Sequence, residues 1–243
     1  MKIKDFFRKA LIKTDEILCP KHFTCNICGK EIFDGGDFCE ECLKTLYVNN
    51  GIICQNCGRA TNIPTNRCYS CSGEWAVDKA RSAFLYEDGA EKLIKSLKYG
   101  KKRYIAEIIA PYLKVVYIKY LFAPDIITFV PMTDKKKRKR GFNQAELIAL
   151  NLSKEVGVMC KDLLVKTKDT EEQKNLDRKS RQENLLSCFK VKDKTAVKGK
   201  KILLIDDVLT TGATAHAVSK VLKKAGSESV YLLTVASVQK RLI

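Results

Sequence analysis

The chain has 243 residues, of which 45% are hydrophobic and 30% charged, so it is long enough for one large or two smaller globular domains. Its net charge of +17 favours acidic partners such as phosphorylated small molecules or nucleic acid, although a solvated lysine-rich surface has the same composition. The sequence shows no signal peptide and no apolar run of about 18 residues, which predicts a cytoplasmic protein without membrane insertion.

The first segment, residues 1–20, has apolar residues at roughly helical spacing between lysines. This pattern predicts an amphipathic helix, which packs on its own protein more often than on a membrane. The cysteine-rich residues 21–76 and the longer segment 77–243 complete the predicted organisation, a small zinc-binding domain followed by an α/β domain.

Eight of the 11 cysteines form four Cys-x-x-Cys pairs, in two blocks of similar sequence. Each pair directs two thiolates at one ion, so two pairs supply a tetrahedral site for structural zinc. Disulfides are rare in proteins that are not exported, because their thiols are kept reduced, so we do not expect disulfides here. We expect successive pairs to share a zinc ion, and the alternative is an interleaved arrangement of the first pair with the third. The predicted ligands are Cys25, Cys28, Cys39 and Cys42 for the first ion, and Cys54, Cys57, Cys68 and Cys71 for the second.

Beyond the cysteines, apolar runs alternate with stretches of helical periodicity. Such alternation predicts an α/β fold with a mostly parallel sheet and flanking helices. The predicted strands are 83–86, 125–130, 202–205 and 230–236, and the predicted helices are 90–99, 103–121, 144–156 and the segment that ends near residue 225.

Two polar segments of this domain have open interpretations. The basic run 135–140 follows the strand that ends at Pro131, on the side of the sheet where ligands bind. It is either a solvated loop or a group of cations that neutralises a pyrophosphate or a nucleic-acid backbone. Residues 166–201 are polar and lysine-rich, which predicts a loop that covers an active site or a linker.

The most informative stretch is 202–214, in which a buried strand leads to Asp206 and Asp207 and then to a turn of threonines and glycine. Backbone N–H groups and hydroxyls at a helix N-terminus suit a phosphate. The adjacent carboxylates can accept hydrogen bonds from sugar hydroxyls or hold a metal ion. The stretch therefore predicts a ribose-5-phosphate site, and it resembles the phosphoribosyl-pyrophosphate (PRPP) motif of type I phosphoribosyltransferases.

Further stretches extend the resemblance to most of the chain. These are residues 97–99 (Leu-Lys-Tyr), residues 140–147 (Arg-Gly-Phe-Asn-Gln-Ala-Glu-Leu), the spaced set Thr170, Gln173, Leu176, Arg181 and Asn184, and residues 206–214. Together with the two N-terminal zinc ribbons, they resemble the ComF family of competence-associated proteins. Lys166 stands where many relatives have arginine.

The resemblance implies a type I phosphoribosyltransferase-like domain behind a double zinc ribbon, and a role in DNA uptake beside single-stranded DNA and a helicase partner. Asp206, Asp207 and Arg140 are the candidate catalytic residues, the carboxylates binding the ribose hydroxyls and Mg²⁺. The other candidates for PRPP binding are Pro131, Lys139, Gln173, Arg181, Asn184, Thr210, Thr211, Gly212, Ala213 and Thr214.

Two functions fit these residues. In the first, the protein is an enzyme in which a nitrogen nucleophile displaces pyrophosphate from PRPP. In the second, it binds single-stranded DNA and a helicase and uses the PRPP-type site for ligand binding only. The sequence identifies no general base and no acceptor pocket.

Overall fold

A computed structural model of the chain describes residues 23–33, 35–168 and 184–239. The predicted N-terminal helix and the candidates Gln173 and Arg181 lie outside the described residues. The chain divides into two compact units, Met1–Thr45 and Leu46–Ile243. Within the described residues, no helix is both long and apolar enough to span a bilayer.

The first unit is built around its cysteines. The backbone turns tightly after Cys25, whose carbonyl accepts a hydrogen bond from Gly29, and Gly29 adopts a φ of +78°. A single short helix, α1 (Glu40–Leu43), is described in this unit and carries the last cysteine of the first block. Apart from cysteines, the buried apolar side chains among the described residues of this unit are Ile32 and Phe38.

The elements of the second unit in chain order are β1 (Lys79–Leu85), α2 (Asp88–Tyr99), α3 (Ile105–Lys119), β2 (Ile126–Phe129), α4 (Asp134–Arg140), α5 (Gln144–Val156), β3 (Leu164–Lys166), β4 (Phe189–Val191), β5 (Lys201–Leu209), α6 (Ala213–Lys224) and β6 (Ser229–Ser237). Four of the strands form a parallel sheet with the order β1–β6–β5–β2, which confirms the predicted α/β class.

Strand β5 lies inside the sheet because it is apolar on both faces. Ile202 and Leu204 belong to a core cluster with Val218 of α6, and the alternate residues Leu203 and Ile205 point to the opposite face. Helices α3 and α5 pack on each other and on the sheet, and α6 packs against β4, β5 and β6. The carboxyl ends of β5 and β2 therefore meet at one edge of a buried sheet.

Two segments differ from their sequence-based interpretation. The region 166–201 contains β4, which pairs with β3 in antiparallel orientation, so this part of the region is not a loop, whereas residues 192–200 form turns. Three-residue strands are too short to give a periodic pattern, but Phe189 and Val197 are buried and anchor the region. The basic run forms helix α4 rather than a loop, because Thr133 caps its first turn and Gly141 ends it with a φ of +86°.

Candidate functional site

The turn after β5 forms one side of a cleft at the carboxyl edge of the sheet. Gly212 has a φ of +86°, which glycine adopts without strain, and α6 begins at the next residue. The hydroxyl of Thr211 accepts a hydrogen bond from the Ala213 N–H at 3.3 Å. The cleft is lined by Asp206, Val208, Leu209, Thr210, Thr211, Gly212, Thr214, Ala215, Leu232 and Thr234.

The two neighbouring carboxylates of β5 have different surroundings, because successive side chains of a strand point to opposite faces. Asp206 lines the cleft and accepts a hydrogen bond from the Asp207 N–H at 2.9 Å. Asp207 is buried and forms an ion pair with Lys98 of α2, with Nζ and Oδ2 2.7 Å apart. Of the pair, Asp206 is thus the carboxylate that the cleft exposes to a ligand.

Burial and the charge of Asp207 raise the pKa of Asp206 to about 7. The positive charges of Lys98 and Lys166 oppose that shift, so both lysines act on this edge of the sheet. A carboxyl group with such a pKa changes its charge readily near neutral pH when a cation or a hydrogen-bond donor binds to it.

The predicted cationic side of the site begins where β2 ends. The Val130 N–H donates to the carbonyl of Ile205 at 2.9 Å, which joins the ends of β2 and β5. Pro131 is buried just beyond, and Lys139 is exposed on α4. Val130 and Pro131, which lie just before α4, therefore place the start of this helix beside the edge that carries Asp206.

Arg140, the last residue of α4, is held by two neighbours. Its guanidinium donates to Oε1 of Gln144 and lies 5.4 Å from the centroid of the Tyr99 ring. Asn143 caps α5 through its Oδ1, and its Nδ2 donates to the carbonyl of Val130 at 3.0 Å. The block that starts at Arg140 thus fixes the angle between α4, α5 and the end of β2.

The remaining PRPP-binding candidates are only partly described. Asn184 is half-buried, and its carbonyl accepts hydrogen bonds from Ser187 and Cys188. It does not line the cleft, whereas Gln173 and Arg181 lie outside the described residues.

The structure gathers the cysteines into the two sequential groups rather than the interleaved ones. In each group of four, all sulfur atoms lie within 4.8 Å of one another, and neighbouring sulfurs in the second group are 3.5 to 3.9 Å apart. Four sulfurs at about 2.3 Å from a zinc ion are about 3.8 Å from each other. The four-thiolate donor sets therefore fit structural metal ions.

Sequence reasoning missed one cationic residue of the second cysteine block. Arg59 directly follows the Cys-x-x-Cys-Gly turn and is buried, and its Nη2 donates to the carbonyl of Thr210 at 2.5 Å. Trp75 also contacts the turn, because a Cβ added to Gly212 would lie 2.5 Å from its Cζ3 atom. Neither residue stands out in the sequence, since arginine and tryptophan after a zinc knuckle have no distinctive spacing.

Comparisons of the sequence with known proteins find a domain family and several relatives. The family described as Phosphoribosyl transferase domain matches residues 138–242. Competence protein F of Haemophilus influenzae is 30% identical over 200 residues, which covers 79% of this chain and 86% of that protein. Competence protein ComFC of Streptococcus pneumoniae is 29% identical over 203 residues, covering 81% and 86%. DNA utilization protein YhgH of Escherichia coli K12 is 26% identical over 220 residues, covering 79% and 93%.

Similar solved structures include two enzymes whose names refer to PRPP or to phosphoribosyl transfer. Glutamine PRPP amidotransferase from B. subtilis, complexed with ADP and GMP, has a TM-score of 0.40 and 16% identity, over 54% of this chain and 26% of that one. Adenine phosphoribosyltransferase from Thermoanaerobacter pseudethanolicus has a TM-score of 0.37 and 15% identity, over 56% and 82%. By its identity to competence protein F across most of both chains, and by its phosphoribosyltransferase-type domain, the chain belongs to the ComF family of competence proteins.

Proposed function

We propose that the chain binds PRPP, or a related ribose-5-phosphate ligand, at the turn after β5, and that it acts in the cytoplasm in DNA uptake. One observation carries the proposal: Asp206 lines a cleft, and a turn of threonines and glycine at the start of α6 forms one side of it. The names of the relatives, which refer to competence and DNA utilization, support the biological role.

Each part of the ligand has a matching group. The backbone N–H groups and hydroxyls of residues 210–214 would bind the 5-phosphate, and Asp206 would accept a hydrogen bond from a ribose hydroxyl and help to hold Mg²⁺. Arg140, held by Gln144 and Tyr99, and Lys139 would face the pyrophosphate. A magnesium ion, when bound, supplies positive charge that stabilises the pyrophosphate leaving group.

As an enzyme, the chain would transfer the phosphoribosyl group to a nitrogen nucleophile. The bond between C1 of the ribose and the pyrophosphate oxygen breaks, the bond between C1 and the nitrogen forms, and the nucleophile loses a proton to water. Positive charge on α4 would lower the barrier by stabilising the charge that develops on the pyrophosphate.

Calorimetric titration with PRPP and Mg²⁺ tests the binding site. The Asp206→Asn variant should bind at least tenfold more weakly than the unaltered protein. Glu155→Gln is the matched control, because Glu155 lies at the end of α5, at the opposite edge of the sheet, and pairs there with Lys114. Equal affinity of the Asp206→Asn variant, or no binding by the unaltered protein, would overturn the proposal.

Pyrophosphate release decides between an enzyme and a binding protein. The protein is incubated with PRPP, Mg²⁺ and a panel of nucleobases and amines, and released pyrophosphate is measured. Release that requires an acceptor and disappears in the Asp206→Asn variant would establish transfer. Calorimetric binding without release for every acceptor would establish the binding protein.

Single-stranded DNA is the ligand of the second candidate function, which the surface of α4 favours. Lys135, Arg138 and Lys139 are exposed on this helix, and nearby Tyr99 is 73% exposed with Arg140 over its ring. Cations beside an accessible aromatic ring are the combination with which proteins bind single strands. In this function a helicase partner would act on the same DNA.

The salt dependence of binding to a fluorescent oligonucleotide tests this second function. Changing Lys135, Arg138 and Lys139 to glutamine should weaken binding and reduce the slope of log K against log salt by about 2. The same change at Lys194, Lys198 and Lys200, which are exposed and precede β5 at the opposite edge, removes equal charge. Equal losses in both variants would show that overall charge, and not α4, binds the DNA.

We also infer that the ions of the two cysteine clusters are zinc and that they are structural. Four thiolates fill a tetrahedral coordination shell and leave no open position for a substrate. Elemental analysis of the purified protein should give two zinc ions per chain, and one ion or a different metal would contradict the assignment.

A further inference from the structure

Arg59 joins the second cysteine cluster to the turn that lines the candidate phosphate site. Its side chain is 2% exposed, and its Nη2 donates to the carbonyl of Thr210 at 2.5 Å. Its Nε and Nη1 atoms are buried and have no hydrogen-bond partner among the described residues. A buried guanidinium with one hydrogen bond needs compensating negative charge nearby.

The second cysteine cluster can provide this charge, since four thiolates around a divalent cation carry a net charge of −2. Arg59 is held beside this cluster by its backbone, because its carbonyl accepts a hydrogen bond from the Cys54 N–H at 2.8 Å. A second buried guanidinium, that of Arg81, donates from Nη1 to the carbonyl of Gln55, between Cys54 and Cys57, at 2.9 Å. Two arginines thus match the charge of one metal–thiolate centre.

The turn packs closely against Arg59 and Trp75, with no space for a side chain at Gly212. A Cβ at Gly212 would lie 2.5 Å from Trp75 Cζ3 and 3.3 Å from Arg59 Nη2. Beyond the turn, the Ala76 N–H donates to Nδ1 of His216 on α6 at 3.1 Å. Arg59 and Trp75 therefore contact the turn, and Ala76 contacts the helix that follows it.

The cysteine block is fixed on its other side by β1. A Cβ at Gly58 would lie 2.3 Å from the carbonyl oxygen of Ala80, so only glycine allows this close approach. The Ala80 N–H donates to the carbonyl of Asn56 at 2.8 Å, and the Asn49 side chain donates to the carbonyl of Gly58 at 2.8 Å. These contacts set the position from which Arg59 reaches Thr210.

We propose that the second cysteine cluster is a working part of the ribose-phosphate site, in which the bound metal positions Arg59 and Arg59 positions the Thr210–Gly212 turn. Arg59 is a positioning residue, and it acts on the ligand through the turn. The proposal rests on the proposed function only for the identity of the ligand. The coupling between the cluster and the turn is a property of the protein without ligand.

Hydrogen exchange in the absence of ligand tests this coupling directly. In the Arg59→Gln variant, the amides of residues 211–214 should exchange at least tenfold faster than in the unaltered protein, while those of residues 202–205 in the core of β5 keep their rates. Arg59→Lys, which retains the charge but not the reach of the guanidinium fork, should give an intermediate increase. Arg67→Gln is the control, because Arg67 is exposed in the same block.

PRPP binding is measured on the same variants. Arg59→Gln should retain two metal ions and weaken PRPP binding at least tenfold, and Arg67→Gln should change neither. Unchanged exchange at residues 211–214 in Arg59→Gln, or equal acceleration in the core of β5, would overturn the proposal. If the unaltered protein does not bind PRPP, the proposed function fails, and the exchange rates still test the link between Arg59 and the turn.

The role of the metal is tested by comparing the two clusters. Cys39→Ser and Cys68→Ser remove the third ligand of the first and of the second cluster, and both cysteines are half-buried. Each variant should lose one metal ion, but only Cys68→Ser should accelerate exchange at residues 211–214. If Cys68→Ser fails to fold, exchange is measured on the unaltered protein after a chelator has removed one ion and again after it has removed both, and only loss of the second ion should accelerate exchange at residues 211–214. Equal effects from both clusters would overturn the role of the second metal.

Discussion

Lys98, in the last turn of α2, forms a buried ion pair with Asp207 of β5, with Nζ and Oδ2 2.7 Å apart. The side chains are 20% and 7% exposed, so water screens the pair weakly. Lys98 thus fixes the end of α2 beside the cleft, and its charge also reaches the neighbouring Asp206.

Removing one partner should therefore destabilise the fold. We expect Lys98→Met to lower the free energy of unfolding by about 2 to 4 kcal/mol, because Asp207 is left as a buried carboxylate without its cation. The double variant Lys98→Met with Asp207→Asn should recover part of that loss. Urea unfolding at pH 7 measures both free energies.

Lys95→Met is the matched control on the same helix. Lys95 forms an exposed ion pair with Glu91, and water screens exposed pairs so strongly that they contribute little to stability. A loss in the Lys98→Met variant as small as that of the control, with no recovery in the double variant, would contradict a stabilising role of the buried pair.

The raised pKa of Asp206 predicts how stability depends on pH. Its pKa is about 7 in the folded protein and 3.8 ordinarily, so between these values the folded state binds more protons and stability falls as pH rises. Asp206→Asn should remove this fall. The variant should be more stable than the unaltered protein at pH 8, on the order of 2 to 4 kcal/mol, and equally stable near pH 4. Urea unfolding across this pH range, without Mg²⁺ or PRPP, measures the difference.

Asp193→Asn should behave in the opposite way. Hydrogen bonds from the side chain and backbone of Thr195 lower the pKa of Asp193, so its carboxylate stabilises the fold above its ordinary pKa and loses this effect as pH falls. The variant should be less stable than the unaltered protein at neutral pH. A loss of stability at pH 8 in both variants, which net charge alone would cause when a carboxylate is removed from a chain with a charge of +17, would contradict an unfavourable burial of the Asp206 carboxylate.

The sequence predicts those parts of the fold whose determinants are local. The sequence predicts a helix at 144–156, and α5 has these bounds, because Asn143 caps its start and Gly157 ends it with a φ of +70°. The sequence also predicts a ligand site at the end of β5, because an apolar run, two carboxylates and a turn of threonines and glycine follow one another in the chain. Their placement at one cleft is a consequence of the sheet.

The contacts that hold this turn in place could not be predicted, because they join residues far apart in the chain. The periodicity that predicts the helix 90–99 does not show that Lys98 meets Asp207, which is more than 100 residues away in the chain. Arg59 contacts Thr210 only because close backbone packing at Gly58 places the cysteine block against β1. Neither the Lys98–Asp207 contact nor the Arg59–Thr210 contact produces a periodic pattern in the sequence.

Gly212 should tolerate no side chain. Gly212→Ala adds a Cβ 2.5 Å from Trp75 Cζ3 at a φ of +86°, so both overpacking and backbone strain oppose it. We expect a loss of about 2 to 4 kcal/mol in the free energy of unfolding and weaker PRPP binding. Gly157→Ala is the control, since its φ is +70° with no atom within 4 Å of the added Cβ. Its loss should be about 1 kcal/mol, from strain alone.

Metal release should occur in two phases that report the two clusters separately. In the first cluster Cys28 is exposed and Cys39 half-buried, whereas in the second Cys54 and Cys57 are 0% exposed. A chelator must reach a thiolate ligand to remove the metal, so the first cluster should release its ion faster. Release into a chromogenic chelator, followed by absorbance, measures both phases. Cys28→Ser should abolish the fast phase and Cys68→Ser the slow one, and a single phase that both variants shorten equally would mean that the two ions are lost together.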